Sequence, residues 1–145
     1  MNLQSLLAFA GDHLMLSLAF VGLTLALVFT EISRLISPVK AVSAAQLTDL
    51  INRDDALVVD LSATGDFEKG HIAGAKNVPM AQFDPENKLL AKVRDLPVVL
   101  VCRSGTVSAD AAKRLVKAGF RSVHWFDGGV AAWQQAGLPL VKGKA

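Results

Sequence analysis

From Leu14 to Thr30 the chain reads LMLSLAFVGLTLALVFT, seventeen residues without a charge. A helix of that length just crosses a hydrocarbon core of about 30 Å. The apolar stretch Leu6–Gly11 before it allows a longer, tilted helix with Asp12 and His13 at the interface. A cleaved signal peptide would carry a positive n-region, yet no Lys or Arg precedes Arg34, and the small residues Ala41–Ala45 lie far downstream. A buried helix of a soluble domain would show a polar face, which this run lacks. A membrane span over about residues 14–30 is therefore expected. All fifteen Lys and Arg residues follow it, beginning with Arg34 and Lys40, so the positive-inside rule places the C-terminal part in the cytoplasm and the N-terminus outside. Membrane lipid is then one partner, and Ser17, Gly22 and Thr24 would permit packing against a membrane protein.

The segment EISRLISP, residues 31–38, reads as a helix end closed by Pro38 and a short stiff linker. It divides an anchor, residues 1–38, from a domain, residues 39–145. In that domain short apolar or β-branched runs alternate with helical patterns. Lys40–Val42, Leu57–Leu61, Asn77–Val78, Val98–Cys102 and Ser122–Phe126 are predicted strands. Helices are predicted over Ala44–Asn52, around Gly65–Lys69, weakly within Gln82–Arg94, and over Val107–Ala118 and Val130–Ala136, with Ser43 and Gln46 forming a capping box before the first. Runs as apolar as LVVDL and VVLVC are buried on both faces, which calls for a mostly parallel five-stranded sheet with helices on each side. The fold class is α/β.

Net charge is +2, and the basic residues are interspersed with acidic ones, so a nucleic-acid surface is not expected. One cysteine excludes an intramolecular disulfide and a multi-cysteine zinc site. His13, His71 and His124 lack ligand spacing, so no metal is expected. No lysine follows the glycines as a phosphate-binding loop requires, and no cofactor is expected.

Ligands of such sheets bind at the carboxyl ends of strands, where Cys102 is followed by Arg103-Ser104-Gly105-Thr106-Val107 and then by a helix. A strand-to-helix turn of this kind presents free amides, an anion cradle able to lower a thiol pKa. Arg103 would assist from the rim. On spacing alone, an inert cysteine closing a core strand fits as well. Asp60, ending LVVDL, either bonds to the cysteine loop or caps its own turn. His71 reads as structural, fixing the turn before Asn77, and Trp125 and Trp133 as core. Gly128 and Gly129 read as positive-φ residues between the last strand and last helix.

Cys102-Arg103-Ser104-Gly105, preceded by VVLV and followed by Ser108 and a helix, resembles the active-site loop of rhodanese sulfurtransferases. Val58-Val59-Asp60, the block Gly70-His71-Ile72-Ala73-Gly74-Ala75-Lys76-Asn77-Val78-Pro79, and Phe126-Asp127-Gly128-Gly129 with Trp133 and Gly137-Leu138-Pro139 match further motifs of that family in family order. The resemblance covers about residues 40–141 and is closest to membrane-anchored, single-domain bacterial rhodaneses. It implies that Cys102 accepts a sulfane sulfur as a persulfide, that residues 103–107 donate amides to the sulfur, and that Asp60 and Ser108 support the loop. It also implies a small sulfur donor, an acceptor thiol or cyanide, and a place in the bacterial inner membrane. With no second cysteine, the acceptor is another molecule. The related phosphatases use a longer loop ending in arginine, and none lies between Arg103 and Arg114. Two positions depart from the family pattern: Ser62 stands where an arginine is usual, and Val107 where a polar or basic residue is common. These departures support an alternative in which the domain is a membrane-tethered interaction module with little catalysis.

Overall fold

The computed structural model describes residues 2–36 and 39–144. The chain forms two compact units, Met1–Ser37 and Pro38–Ala145.

In the first unit, helix α1 (Leu3–Asp12) ends at His13, whose φ of −123° and ψ of 52° leave the helical region. Helix α2 (Leu14–Ile36) follows, so the two are separate helices rather than one continuous tilted helix. The segment Leu14–Ile32 has a mean hydropathy of 2.0 and none of it is buried, which makes α2 long and apolar enough to cross a membrane. Two of its hydroxyls are satisfied within the helix, Thr24 Oγ1 donating to Phe20 O at 2.8 Å and Thr30 Oγ1 to Leu27 O at 2.8 Å, while Ser17 Oγ donates to Ala10 O of α1 at 3.4 Å. Pro38, expected to close this helix, lies outside the described residues.

The second unit is built on five strands: β1 (Val39–Val42), β2 (Leu57–Asp60), β3 (Lys76–Asn77), β4 (Val98–Val101) and β5 (Val123–Phe126). All ladders are parallel and the order across the sheet is β1-β5-β4-β2-β3. The helices are α3 (Ala44–Arg53), α4 (Thr64–Lys69), α5 (Lys88–Ala91), α6 (Thr106–Lys117) and α7 (Gly129–Gln135). The predicted Ser43–Gln46 capping box is present, with Ser43 N donating to Gln46 Oε1 at 2.9 Å. The weak helix expected within Gln82–Arg94 resolves into a 3₁₀ turn, Met80–Gln82, and the single turn of α5.

Strand β4 is central and wholly buried, and its period of two feeds both faces of the sheet. Val98 and Leu100 pack with Leu115, Ala111 and Ala112 of α6, while Val99 and Val101 pack with Leu47, Phe126 and Trp133. On α6 the buried residues Ser108, Ala111, Ala112 and Leu115 recur at the spacing of one helical face. Each fully buried Val or Leu contributes about 1.5–3 kcal/mol, so β4 is a rigid post for whatever follows it.

Candidate functional site

The strand was expected to end at Cys102, but the ladder stops at Val101, which pairs with Asp60. The reason is a competing acceptor contact: Cys102 O accepts from Val130 N at 3.0 Å and Arg103 O from Ala131 N at 3.3 Å, so the first turn of α7 pulls the chain out of the sheet. Cys102 still continues the alternation of Val98 and Leu100, and its side chain joins their cluster beside α6, 5% exposed. Gly105 takes φ +91°, a left-handed turn that a side chain resists, and caps α6.

This turn folds the backbone over the sulfur. Gly105 N donates to Cys102 Sγ at 3.1 Å. Ser108, one turn into α6, lies with Oγ 3.5 Å from Sγ and donates to Gly105 O at 2.8 Å. Burial pushes the Cys102 thiol up, but the Ser108 hydroxyl and the amides of Ser108, Ser104 and Gly105 outweigh it and hold the pKa below its ordinary value. The hydroxyl has one proton to give. The thiol can donate to Ser108 Oγ while that proton bonds Gly105 O, and a thiolate gains when the hydroxyl turns onto the sulfur.

Of the loop residues expected to offer amides, Ser104 and Gly105 reach the sulfur, and Ser108 joins them. Thr106 and Val107 open α6 with exposed side chains, and as first-turn residues their N–H groups have no acceptor inside the helix, leaving them for an incoming anion. Arg103 is exposed, its guanidinium 3.9 Å from Asp66 Oδ1.

Asp60 caps its own turn. Its Oδ1 accepts from Ser62 N at 2.8 Å, and it is 1% exposed. Its position in the pleat explains this, because Asp60 pairs with Val101 and shares the parity of Val58, which packs on the sheet face opposite Cys102. Asn77 Nδ2 ties the same turn together by donating to Asp60 O at 3.1 Å and Ser62 O at 2.9 Å. His71 is structural in a different way from the one expected: it stacks on Phe67 with centroids 3.7 Å apart, its Nδ1 donates to Phe67 O at 2.8 Å, and its backbone pairs with Val141.

A pocket of about 230 Å³ opens onto Cys102, walled by Leu61, Ser62, Ala63, Asp66 and Met80 with Arg103, Ser104 and Val107 of the loop side. Asp66 and Met80 were not singled out in the sequence. The available signal was topological, since Asp66 follows β2, which pairs with β4, and Met80 follows β3, the next strand along, so both fall at the same carboxyl edge. Among the described residues no group of three His, Cys, Asp or Glu side chains is placed to hold a metal.

Residues 43–136 match the model of the Rhodanese-like domain. The chain belongs to the rhodanese-like family. It is 41% identical over 143 residues to YibN of Escherichia coli strain K12, covering 98% of this chain and 100% of that one. It is 34% identical over 100 residues to the thiosulfate sulfurtransferase GlpE of Pseudoalteromonas translucida, covering 67% of this chain and 90% of the relative. Among solved structures, this rhodanese-like domain is similar to a thiosulfate sulfurtransferase from Pseudomonas aeruginosa at TM-score 0.64 and 27% identity, covering 73% of this chain and 20% of that one. A rhodanese-related protein from Thermoplasma volcanium gives TM-score 0.62 at 26% identity, with 72% of this chain and 99% of that one covered. The relatives named as sulfurtransferases support a sulfurtransferase-type function for the rhodanese-like domain.

Ser108→Ala tests the electrostatics directly. Losing a hydrogen bond to a charged group, worth about 1.5 kcal/mol, is expected to slow alkylation of Cys102 by iodoacetamide about tenfold at pH 7. The sign follows from the lowered pKa: without the hydroxyl the thiolate forms only at higher pH, so the rate recovers as pH rises, and a rate-pH profile unchanged from wild type would refute the assignment.

Proposed function

We propose that this protein is a membrane-anchored rhodanese-type sulfurtransferase that carries sulfane sulfur on Cys102 and hands it to an external thiol or to cyanide. The observation that carries this reading is the placement of Cys102 Sγ under the Gly105 amide and the Ser108 hydroxyl, with its pKa held down. The Cys102 thiolate attacks the sulfane sulfur of the donor; the new S–S bond forms as the donor's bond to that sulfur breaks, and the leaving group departs with the electron pair. The thiolate or cyanide then attacks the outer sulfur, and the electron pair of the S–S bond returns to Cys102. Neither step needs a redox partner, and the absence of a second cysteine makes the acceptor external.

The anchoring half of the reading rests on α2, whose apolar surface suits lipid, and on the full-length match to the Escherichia coli relative, which includes that segment. With the positive residues all beyond the apolar segment Leu14–Ile32, beginning at Arg34 near the end of α2, the domain lies on the cytoplasmic side of the bacterial inner membrane. The uncharged groups at Ser62 and Val107 favour a second role as a tethered module that binds a membrane-protein partner. One experiment addresses anchoring and chemistry together. Membranes from expressing cells are washed with alkaline carbonate and treated with a sulfane-sulfur donor, and the chain is examined by intact mass. We expect it in the washed pellet with one added sulfur atom; a chain released by carbonate refutes the anchor, and a chain without the adduct refutes the chemistry.

A further inference from the structure

The bend between α1 and α2 falls on polar residues. His13 leaves the helical region, and Asp12 before it is the only Asp, Glu, Lys or Arg ahead of Glu31. Ser17 Oγ reaches back across the bend to Ala10 O at 3.4 Å, and the His13 and Phe9 rings stand 4.7 Å apart. A break in a helix loosens backbone N–H and C=O groups that hydrocarbon cannot satisfy, so a bend that also carries a carboxylate belongs at the wet boundary of a membrane. The 23 residues of α2 are about 34 Å long and cross a core of about 30 Å unaided, whereas the ten of α1, about 15 Å, cannot cross it. α1 therefore starts from the interface and either stands in water or lies along the surface.

The helix is two-sided. Leu3, Leu6, Leu7 and Ala10 recur at i, i+3, i+4 and i+7, while Gln4, Ser5, Ala8, Gly11 and Asp12 occupy the opposite arc, and Phe9 stands at the margin, 54% exposed. Asn2 N donates to Ser5 Oγ at 3.1 Å, which gives α1 an N-terminal cap of its own. A helix this short is marginal in water and needs an apolar surface to form against. Lipid around α2 supplies that surface, because the apolar segment begins at Leu14, two residues after Asp12, and the covalent tether holds α1 there at high effective concentration. With no Lys or Arg in α1, burial of the apolar stripe holds it there rather than attraction to anionic headgroups. Resting on the membrane-anchored reading above, we propose that α1 lies in the plane of the outer leaflet's interface, its Leu3, Leu6, Leu7 and Ala10 stripe toward the acyl chains and its Gln4, Ser5 and Ala8 arc toward water. The protein then engages lipid through two elements, α2 across the bilayer and α1 along it, and α1 keeps the Asp12–His13 bend at the headgroups.

The test introduces Gln4→Cys, Ser5→Cys, Ala8→Cys, Leu6→Cys, Leu7→Cys and Ala10→Cys one at a time into the full-length Cys102→Ser chain. Labelling rates with a membrane-impermeant maleimide are measured in spheroplasts of expressing cells and in nanodiscs of phosphatidylethanolamine and phosphatidylglycerol. We expect the first three positions to label faster than the last three by about tenfold or more in both settings, since a thiol among acyl chains is neither ionised nor reached. Uniformly fast labelling would put α1 in water, and uniformly slow labelling would bury it on all sides; either result overturns the proposal. A pattern present in spheroplasts and lost in nanodiscs replaces lipid with a protein partner and overturns it too. Labelling that appears only after the spheroplasts are lysed overturns the leaflet assigned. Each of these outcomes leaves the anchor standing when the chain remains in the carbonate-washed pellet, whereas a chain released by carbonate overturns the anchor and this proposal with it.

Discussion

Cys102→Ser is expected to reduce sulfur transfer roughly 10³-fold or more, to the uncatalysed background, while leaving the fold in place. The serine oxygen fits the same buried position and still accepts from Gly105 N, so the thermal midpoint should stay within a few degrees of wild type. The chemistry is lost because a serine hydroxyl stays protonated at neutral pH, whereas the donors around Cys102 favour its thiolate. Intact mass after treatment with a sulfane donor is the direct check. A sulfur adduct on the variant would refute the role given to Cys102, since no other thiol exists in the chain. A variant that loses transfer yet still restores a deletion strain would show that the tethered-module role is the one the cell needs.

The parts of this structure that depend on local pattern were legible in the sequence. VVLV could only be a strand buried on both faces, and from it followed the parallel sheet, the carboxyl-edge site and the turn into α6. Strand ends slipped by a residue because they are set by tertiary competition: Cys102 O is claimed by Val130, some thirty residues on, which nothing in VVLVC announces. Asp60 was ambiguous for a different reason. Its alternatives are separated by which face of the pleat it occupies, and parity against Cys102 needs the register Asp60 with Val101, a pairing between distant segments. The charge balance of the pocket was hidden for the same cause. Arg103 alone reads as a cation awaiting an anion, and only the fold brings Asp66 beside it. The glycines after β5 were recognised as turn residues, but turn chemistry is only half of what Gly129 does.

Gly129→Ala is expected to be the most damaging change of a residue that touches no substrate. A methyl group there would lie 2.1 Å from Cys102 O and 2.7 Å from both C and O of Arg103, all backbone atoms that cannot swing aside. The same two carbonyls accept from Val130 N and Ala131 N of α7, so relief requires α7 and the cysteine loop to separate and both hydrogen bonds to break. With the strain of a side chain at φ +60°, the cost is about 3 kcal/mol or more. At roughly 4–8 °C per kcal/mol for a domain of this size, the thermal midpoint should fall by at least about 12 °C. Sulfur loading should fall further than the folded fraction does, because the loop that positions Gly105 N over the sulfur is displaced first. Gly137→Ala separates strain from contact: its φ of +73° is similar, but nothing lies within 4 Å of the added methyl, so only about 1 kcal/mol is expected. Equal losses at the two positions would mean that backbone conformation alone is responsible and that the close packing of Gly129 against the cysteine loop does not hold the site together.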